Sequence, residues 1–185
     1  MRLAIYAGSF DPFTRGHLDI VQGAVKAFDR VLIGVGINRR KLGFMQPQER
    51  VALIEEVLEE QTAISSEARP EVCVFDGLLV DLCRTQLNVP LMPGKPETIP
   101  DTVTIVRGLR AISDFEAEMG IADANRRLDP RIQTVFIPTK AGMAFVSSSV
   151  VRELLSYNVT DARLEPYLTP AAIKRLRMDR WPTGV

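Results

Sequence analysis

The feature that most constrains this chain lies within its first 35 or so residues. Leu3-Ala4-Ile5-Tyr6 is a short apolar run closed by Gly8, and Val31-Leu32-Ile33-Gly34-Val35 is a second, followed by Asn38 and Arg39. Between them Leu18, Val21, Val25 and Phe28 recur at helical spacing, with Asp29 near the end. Strand, helix, strand at that spacing predicts a right-handed βαβ unit with parallel strands.

The alternation continues along the chain. Helices are predicted over Gln48–Glu60, Leu78–Leu87, Ser113–Leu128 and Ser147–Leu155, and strands over Val72–Phe75, Val103–Val106 and Thr134–Ile137. Asp129-Pro130 stops the long charged helix, and Thr169-Pro170 opens a last one through Arg177. The fold class is α/β: one Rossmann-like, doubly wound domain over residues 1–185, with a five-stranded parallel sheet and C-terminal helices. Asn88–Asp101 carries Pro90, Pro93, Pro96 and Pro100, which predicts an exposed, irregular inserted loop. The tail 179–185 is expected to fray.

Composition excludes several classes. Lysine plus arginine equals aspartate plus glutamate at 23 each, so no global field attracts nucleic acid or an anionic membrane. Cys73 and Cys83 sit among apolar residues and fit neither a disulfide framework nor a zinc site, which predicts two reduced, partly buried thiols. Asp11 and Arg15 interrupt any apolar leader, and no stretch approaches a membrane span, so a cytoplasmic location is expected.

Ligands of an open parallel sheet bind beyond the C-terminal strand ends, where the strand order reverses. Past the first strand comes Gly8-Ser9-Phe10-Asp11-Pro12-Phe13-Thr14-Arg15-Gly16-His17. Gly8 and Gly16 are expected to let backbone approach a ligand, and a helix beginning near His17 to offer free amides to phosphate. A lone histidine is more often without a function. Here its place after a glycine at a helix start favours a functional role. The spacing is neither a dinucleotide fingerprint nor a Walker A loop.

Arg107-Gly108-Leu109-Arg110 is expected beyond the fourth strand, where two guanidinium forks suit phosphate oxygens. Beyond the fifth lie Ser147-Ser148-Ser149, hydroxyl and amide donors that are equally good as plain helix caps. Lys41 follows the second strand and could neutralise charge at a reaction centre. Asp114, Glu116 and Glu118 are helix-surface carboxylates unless one meets a ribose or base. No residue set demands a covalent intermediate or forms a histidine-rich metal cluster. That suits transfer to an already ionised phosphate, driven by alignment and charge stabilisation.

Ser9-Phe10-Asp11-Pro12, Thr14-Arg15-Gly16-His17, Arg107-Gly108-Leu109-Arg110 and Phe145-Val146-Ser147-Ser148-Ser149 together resemble the bacterial phosphopantetheine adenylyltransferases. The resemblance covers about residues 1–165 and lies within the T-x-G-H nucleotidyltransferases. It implies conversion of ATP and 4′-phosphopantetheine to dephospho-coenzyme A and pyrophosphate, with Mg2+ accompanying ATP and with no protein metal site. By matching position, Ser9, His17, Lys41 and Arg110 would be catalytic. Ser9, Phe10, His17, Gly108, Leu109, Arg110, Glu118 and the segment Met143, Ala144, Phe145, Val146, Ser147, Ser148 and Ser149 would bind ATP. Ser9, Lys41, Leu79 and Arg107 would hold phosphopantetheine.

The family resemblance also implies a homohexamer in the cytoplasm, with no nucleic-acid or membrane partner. The chain departs from it in the 88–101 insertion and in having Gly142-Met143-Ala144 where a tryptophan is frequent. Rival readings are a nucleotidyltransferase for another small phosphate and a nucleotide-binding module without turnover. An RNA-binding fragment, the third, is disfavoured by the charge balance.

Overall fold

The computed structural model describes residues 1–37, 43–65, 68–88 and 100–179. In chain order the elements are β1 (Arg2–Gly8), α1 (Arg15–Ala27), β2 (Arg30–Gly36), α2 (Pro47–Glu59), β3 (Glu71–Phe75) and α3 (Leu79–Gln86). They continue with β4 (Thr102–Leu109), α4 (Ile112–Leu128), β5 (Gln133–Pro138), α5 (Ser148–Ser156), α6 (Asp161–Leu164) and α7 (Pro170–Asp179). All five strands are parallel, in the order β3-β2-β1-β4-β5. The chain winds outward from β1 to β3, then returns to the far side of β1 with β4. The reversal opens a crevice at the C-terminal ends of β1 and β4.

The strand alternation divides two cores. Ala4 and Tyr6 of β1 and Val31, Ile33 and Val35 of β2 face α1 and α2. Leu3, Ile5, Ala7 and Leu32 face the opposite side, with Val80 and Cys83 of α3. Ile5 and Ile33 are fully buried, and each such side chain contributes roughly 1.5–3 kcal/mol by leaving water. Cys83 is buried and Cys73 half-buried, both as free thiols. Among the described residues, no helix is long and apolar enough to cross a membrane.

Several boundaries differ from the sequence expectation. Arg107, Gly108 and Leu109 lie inside β4, paired with Phe136, Ile137 and Pro138 of β5, because the ladder continues past the apolar run. Helix α1 begins at Arg15, capped by Thr14, so His17 is its third residue and not its start. Asp179 closes α7 instead of opening the tail, and the four-residue α6 has too short a periodic pattern to be read from sequence. Residues 89–99 and 180–185, which hold most of the proposed insertion and tail, lie outside the described residues.

Gly108 sets how closely α1 lies on the sheet. A Cβ there would stand 2.8 Å from Cγ1 of Ile20, a fully buried α1 side chain. Gly108→Ala is therefore expected to cost about 1–3 kcal/mol in urea denaturation by overpacking. Ile20→Ala in that background should cost less than it does in the wild type, measured as a double-mutant cycle.

Candidate active site

A cleft of about 370 Å³ opens where the strand order reverses. Ser9 and Phe10 after β1, Gly16 and His17 on α1, Arg107 and Gly108 of β4, Arg110, and Val146 through Ser149 line it. The three strand-end elements singled out from sequence thus converge on one space. Tyr6, Thr139 and Arg152 line it as well.

His17 is oriented by the helix cap itself. The backbone N–H of Thr14 donates to His17 Nδ1 at 3.1 Å, and the N–H of His17 donates back to Thr14 Oγ1 at 3.4 Å. Such a reciprocal cap ordinarily uses a glutamate or glutamine at the third helical position. With histidine there, Nδ1 must be the unprotonated acceptor, so the proton resides on Nε2. The ring stands edge-on to Phe10, 5.1 Å between centroids, and 5.4 Å from Phe13. Burial against these rings, with a smaller contribution from the charge of Arg110, lowers its pKa from 6.5 to about 4. At neutral pH His17 offers the cleft an uncharged Nε2–H donor.

The free helix amides expected at α1 are mostly taken. Arg15 N–H donates to Tyr167 O at 2.8 Å, and His17 N–H belongs to the cap, which leaves Gly16 N–H to face the cleft. Gly16 also lets protein approach closely. Its missing Cβ makes room for Val146 O, 3.3 Å away, and that of Gly8 for the Phe10 ring at 3.1 Å. Both glycines bring protein against protein.

Helix α5 presents the other amides. Ser147 caps it, accepting from Val150 N–H at 3.3 Å, as the bland reading of the serines held. Ser148 Oγ donates to Pro12 O at 2.8 Å, and Ser149 Oγ accepts from Arg152 at 3.1 Å. The hydroxyls thus fix loops, and the first-turn amides of Ser148 and Ser149 point an electropositive helix end at the cleft.

The arginines are held before any ligand arrives. Glu118 grips Arg107 with two bonds of 2.6 and 2.7 Å, and Arg107 also donates to Ala7 O at 2.8 Å. Burial disfavours that charge, but the bonds to Glu118 outweigh it and raise the Arg107 pKa. Two guanidinium N–H groups remain for an anion. Arg110 is steadied by Asp114 at 3.1 Å. Glu118 therefore acts on the cleft through Arg107 and is not part of its lining.

Asp11, part of the Ser9-Phe10-Asp11-Pro12 motif but given no role from sequence, ties the loops together. Its carboxylate accepts from Phe44 and Met45 N–H at 2.7 and 2.8 Å and pairs with Arg50 at 3.2 Å. Arg50 also donates to Ser9 O at 3.1 Å, and Arg152 to Asp11 O at 2.6 Å. Removing one member of so buried a pair typically costs about 3–5 kcal/mol.

Other expected residues stand apart from the cleft. Leu109 contributes its carbonyl to Thr139, and Leu79 packs against the core on the other sheet face. Met143 and Ala144 belong to successive turns ahead of α5, and Phe145 is 88% exposed. Lys41 lies outside the described residues. Arg152 could have been found from its place one helical turn beyond Ser148 and Ser149, where it shares their end of α5.

The His17 geometry has a direct spectroscopic consequence. Nitrogen NMR of the ligand-free protein should find the Nε2–H tautomer at pH 7 and a midpoint well below 6.5. Because the folded value is the lower one, this group's contribution to stability is present above about 6.5 and is lost as pH falls toward 4. A midpoint at or above 6.5 would contradict the arrangement.

Comparison with known proteins agrees with this geometry. Residues 5–154 match the cytidylyltransferase-like family. The chain is 40% identical over 157 residues to the phosphopantetheine adenylyltransferase of Clostridium novyi, covering 85% of each. It is 38% identical to that of Geotalea daltonii over 176 residues, 95% of each, and 40% identical to that of Heliobacterium modesticaldum, over 95% of this chain and 91% of that one. Among solved structures, Plasmodium falciparum nicotinic acid mononucleotide adenylyltransferase superposes with a TM-score of 0.68 over 99% of this chain and 98% of that one, at 16% identity. That likeness speaks for the fold alone, whereas the sequence relatives decide the family: the chain belongs to the phosphopantetheine adenylyltransferases.

Proposed function

We propose that this chain transfers the adenylyl group of ATP to 4′-phosphopantetheine, giving dephospho-coenzyme A and pyrophosphate in coenzyme A synthesis. An oxygen of the acceptor phosphate attacks the α-phosphorus of ATP. The bond from that phosphorus to the oxygen bridging to the β-phosphate breaks, and pyrophosphate leaves with the electron pair. The observation that carries this reading is a cleft walled by a neutral histidine donor, two helix N-termini and three arginines, in a chain of this family.

No side chain has to be the nucleophile, and none has to remove a proton, because the acceptor phosphate is ionised at neutral pH. His17 Nε2–H and the amides of Gly16, Ser148 and Ser149 serve the phosphate oxygens as charge builds on them. Arg110 and Ser9 support the same charge, Arg107 and Lys41 hold the acceptor phosphate, and Leu79, outside the cleft lining, would touch the pantetheine arm by its matching position. By matching position Gly108, Leu109 and the 143–149 segment would take the adenosine end, while Glu118 fixes Arg107 for the acceptor phosphate.

Among the described residues no cluster of histidine, cysteine or carboxylate side chains would cage a metal, and no carboxylate lines the cleft. Mg2+ brought with ATP would neutralise charge on the leaving group. The working form proposed is a homohexamer in the cytoplasm. Phe115, Met119 and Ile121 on α4 and Val135 on β5 are exposed apolar groups that contacts between copies would cover.

A pyrophosphate-release assay offering ATP with phosphopantetheine, nicotinic acid mononucleotide or a polyol phosphate tests the substrate. Turnover confined to phosphopantetheine is expected, and turnover with another acceptor alone would overturn the assignment. His17→Ala should lower kcat by about a hundredfold to a thousandfold, the range seen when one such donor is lost, with a much smaller change in ATP affinity. Equal losses in binding and rate would remove His17 from the transition state.

A further inference from the structure

Among the described residues, the Tyr6 hydroxyl in the cleft wall is left without a protein partner, as is His17 Nε2–H. Tyr6 lies on β1 with its side chain on the α1 face, next to Ala4 in the same core. It is 6% exposed, and its ring meets Phe10 edge-on at 5.1 Å. Sequence alone reads it as the last residue of an apolar strand. Yet Tyr6 also lines the cleft, and its hydroxyl stands 3.9 Å from where a Gly108 Cβ would be.

Several other polar side chains of the wall are occupied. Ser147, Ser148 and Ser149 hold loop and helix groups, Thr139 donates to Leu109 O, and Arg107 is forked onto Glu118. Tyr6 Oη makes no hydrogen bond among the described residues. It is not sealed away either, since the one buried side-chain polar atom among them that is both sealed and unpaired is Thr134 Oγ1. A mostly buried hydroxyl with no protein partner costs roughly 1–3 kcal/mol unless water or a ligand meets it. The group is thus both buried and aimed into the cleft.

Its chemistry is that of a donor. Burial raises the Tyr6 pKa far above neutrality, with the charges of Arg107 and Arg110 opposing but not reversing this, so the proton stays on. A neutral O–H beside two arginines suits an anionic oxygen, which accepts strong bonds from both.

We propose that the Tyr6 hydroxyl is a substrate-binding group that donates to a phosphate oxygen of the bound substrate on the cleft floor beside Gly108. This rests on the adenylyl-transfer reading, which brings two anionic groups to the cleft: the triphosphate of ATP and the phosphate of the acceptor.

Tyr6→Phe removes the oxygen and keeps the ring against Phe10. Calorimetric titration of the full chain with ATP alone and with phosphopantetheine alone separates the two anionic groups, and steady-state assays give KM for each. The expected result is about tenfold weaker binding of one ligand, with the other unchanged. The ligand-free variant should unfold at the wild-type temperature or above, because no protein bond is lost. Unchanged affinity for both ligands would overturn the proposal. So would a lowered unfolding temperature with equal loss for both ligands, the mark of a structural role. If the wild type binds ATP but does not turn over phosphopantetheine, the functional reading fails separately, and the ATP arm still tests Tyr6.

Discussion

The exchange of hydrogen bonds between Thr14 and His17 is the constraint on which the site turns. It ends the β1–α1 loop, starts α1 and fixes the imidazole tautomer in one step. A capping glutamate would serve the helix equally well but would place a negative charge beside the phosphates. Histidine at that position, kept uncharged by Phe10, Phe13 and Arg110, caps the helix and leaves its second nitrogen free to donate. The same two residues therefore serve the fold and set the donor that His17 offers the cleft.

Around that cap the loops are held by few but buried polar contacts. Asp11, Arg50 and Arg152 join the segment after β1 to the residues ahead of α2 and to α5. The serines and Arg107 are likewise engaged with protein while still facing the cleft. Donors fixed in advance need little reorganisation as charge develops, which is where electrostatic catalysis gains most. Tyr6 contrasts with them, its ring fixed and its hydroxyl left open.

Much of this was legible in the sequence. The apolar runs at Leu3–Tyr6 and Val31–Val35 and the helical spacing between them gave the parallel sheet, and the list of residues past each strand gave the cleft. The extension of β4 through Arg107 and Gly108 escaped because charged and glycine residues carry no apolar signal, although the ladder with β5 includes them. The packing at Gly8 and Gly16 is not legible because sequence records a missing side chain but not what fills its place, here Phe10 and Val146. Asp11 and Tyr6 were invisible for a similar reason. One looks like a loop acid and the other like a core aromatic until the partners of their polar atoms are known.

The central claim is that the cleft aligns two phosphates for one direct displacement, with no protein atom adenylylated on the way. Its most direct test is the stereochemical course at the α-phosphorus, followed by phosphorus NMR with one diastereomer of ATP carrying sulfur on that phosphate. A single in-line attack predicts net inversion in the thio-substituted dephospho-coenzyme A. Net retention would mean two successive displacements through a covalent adenylyl-enzyme, and would contradict the account.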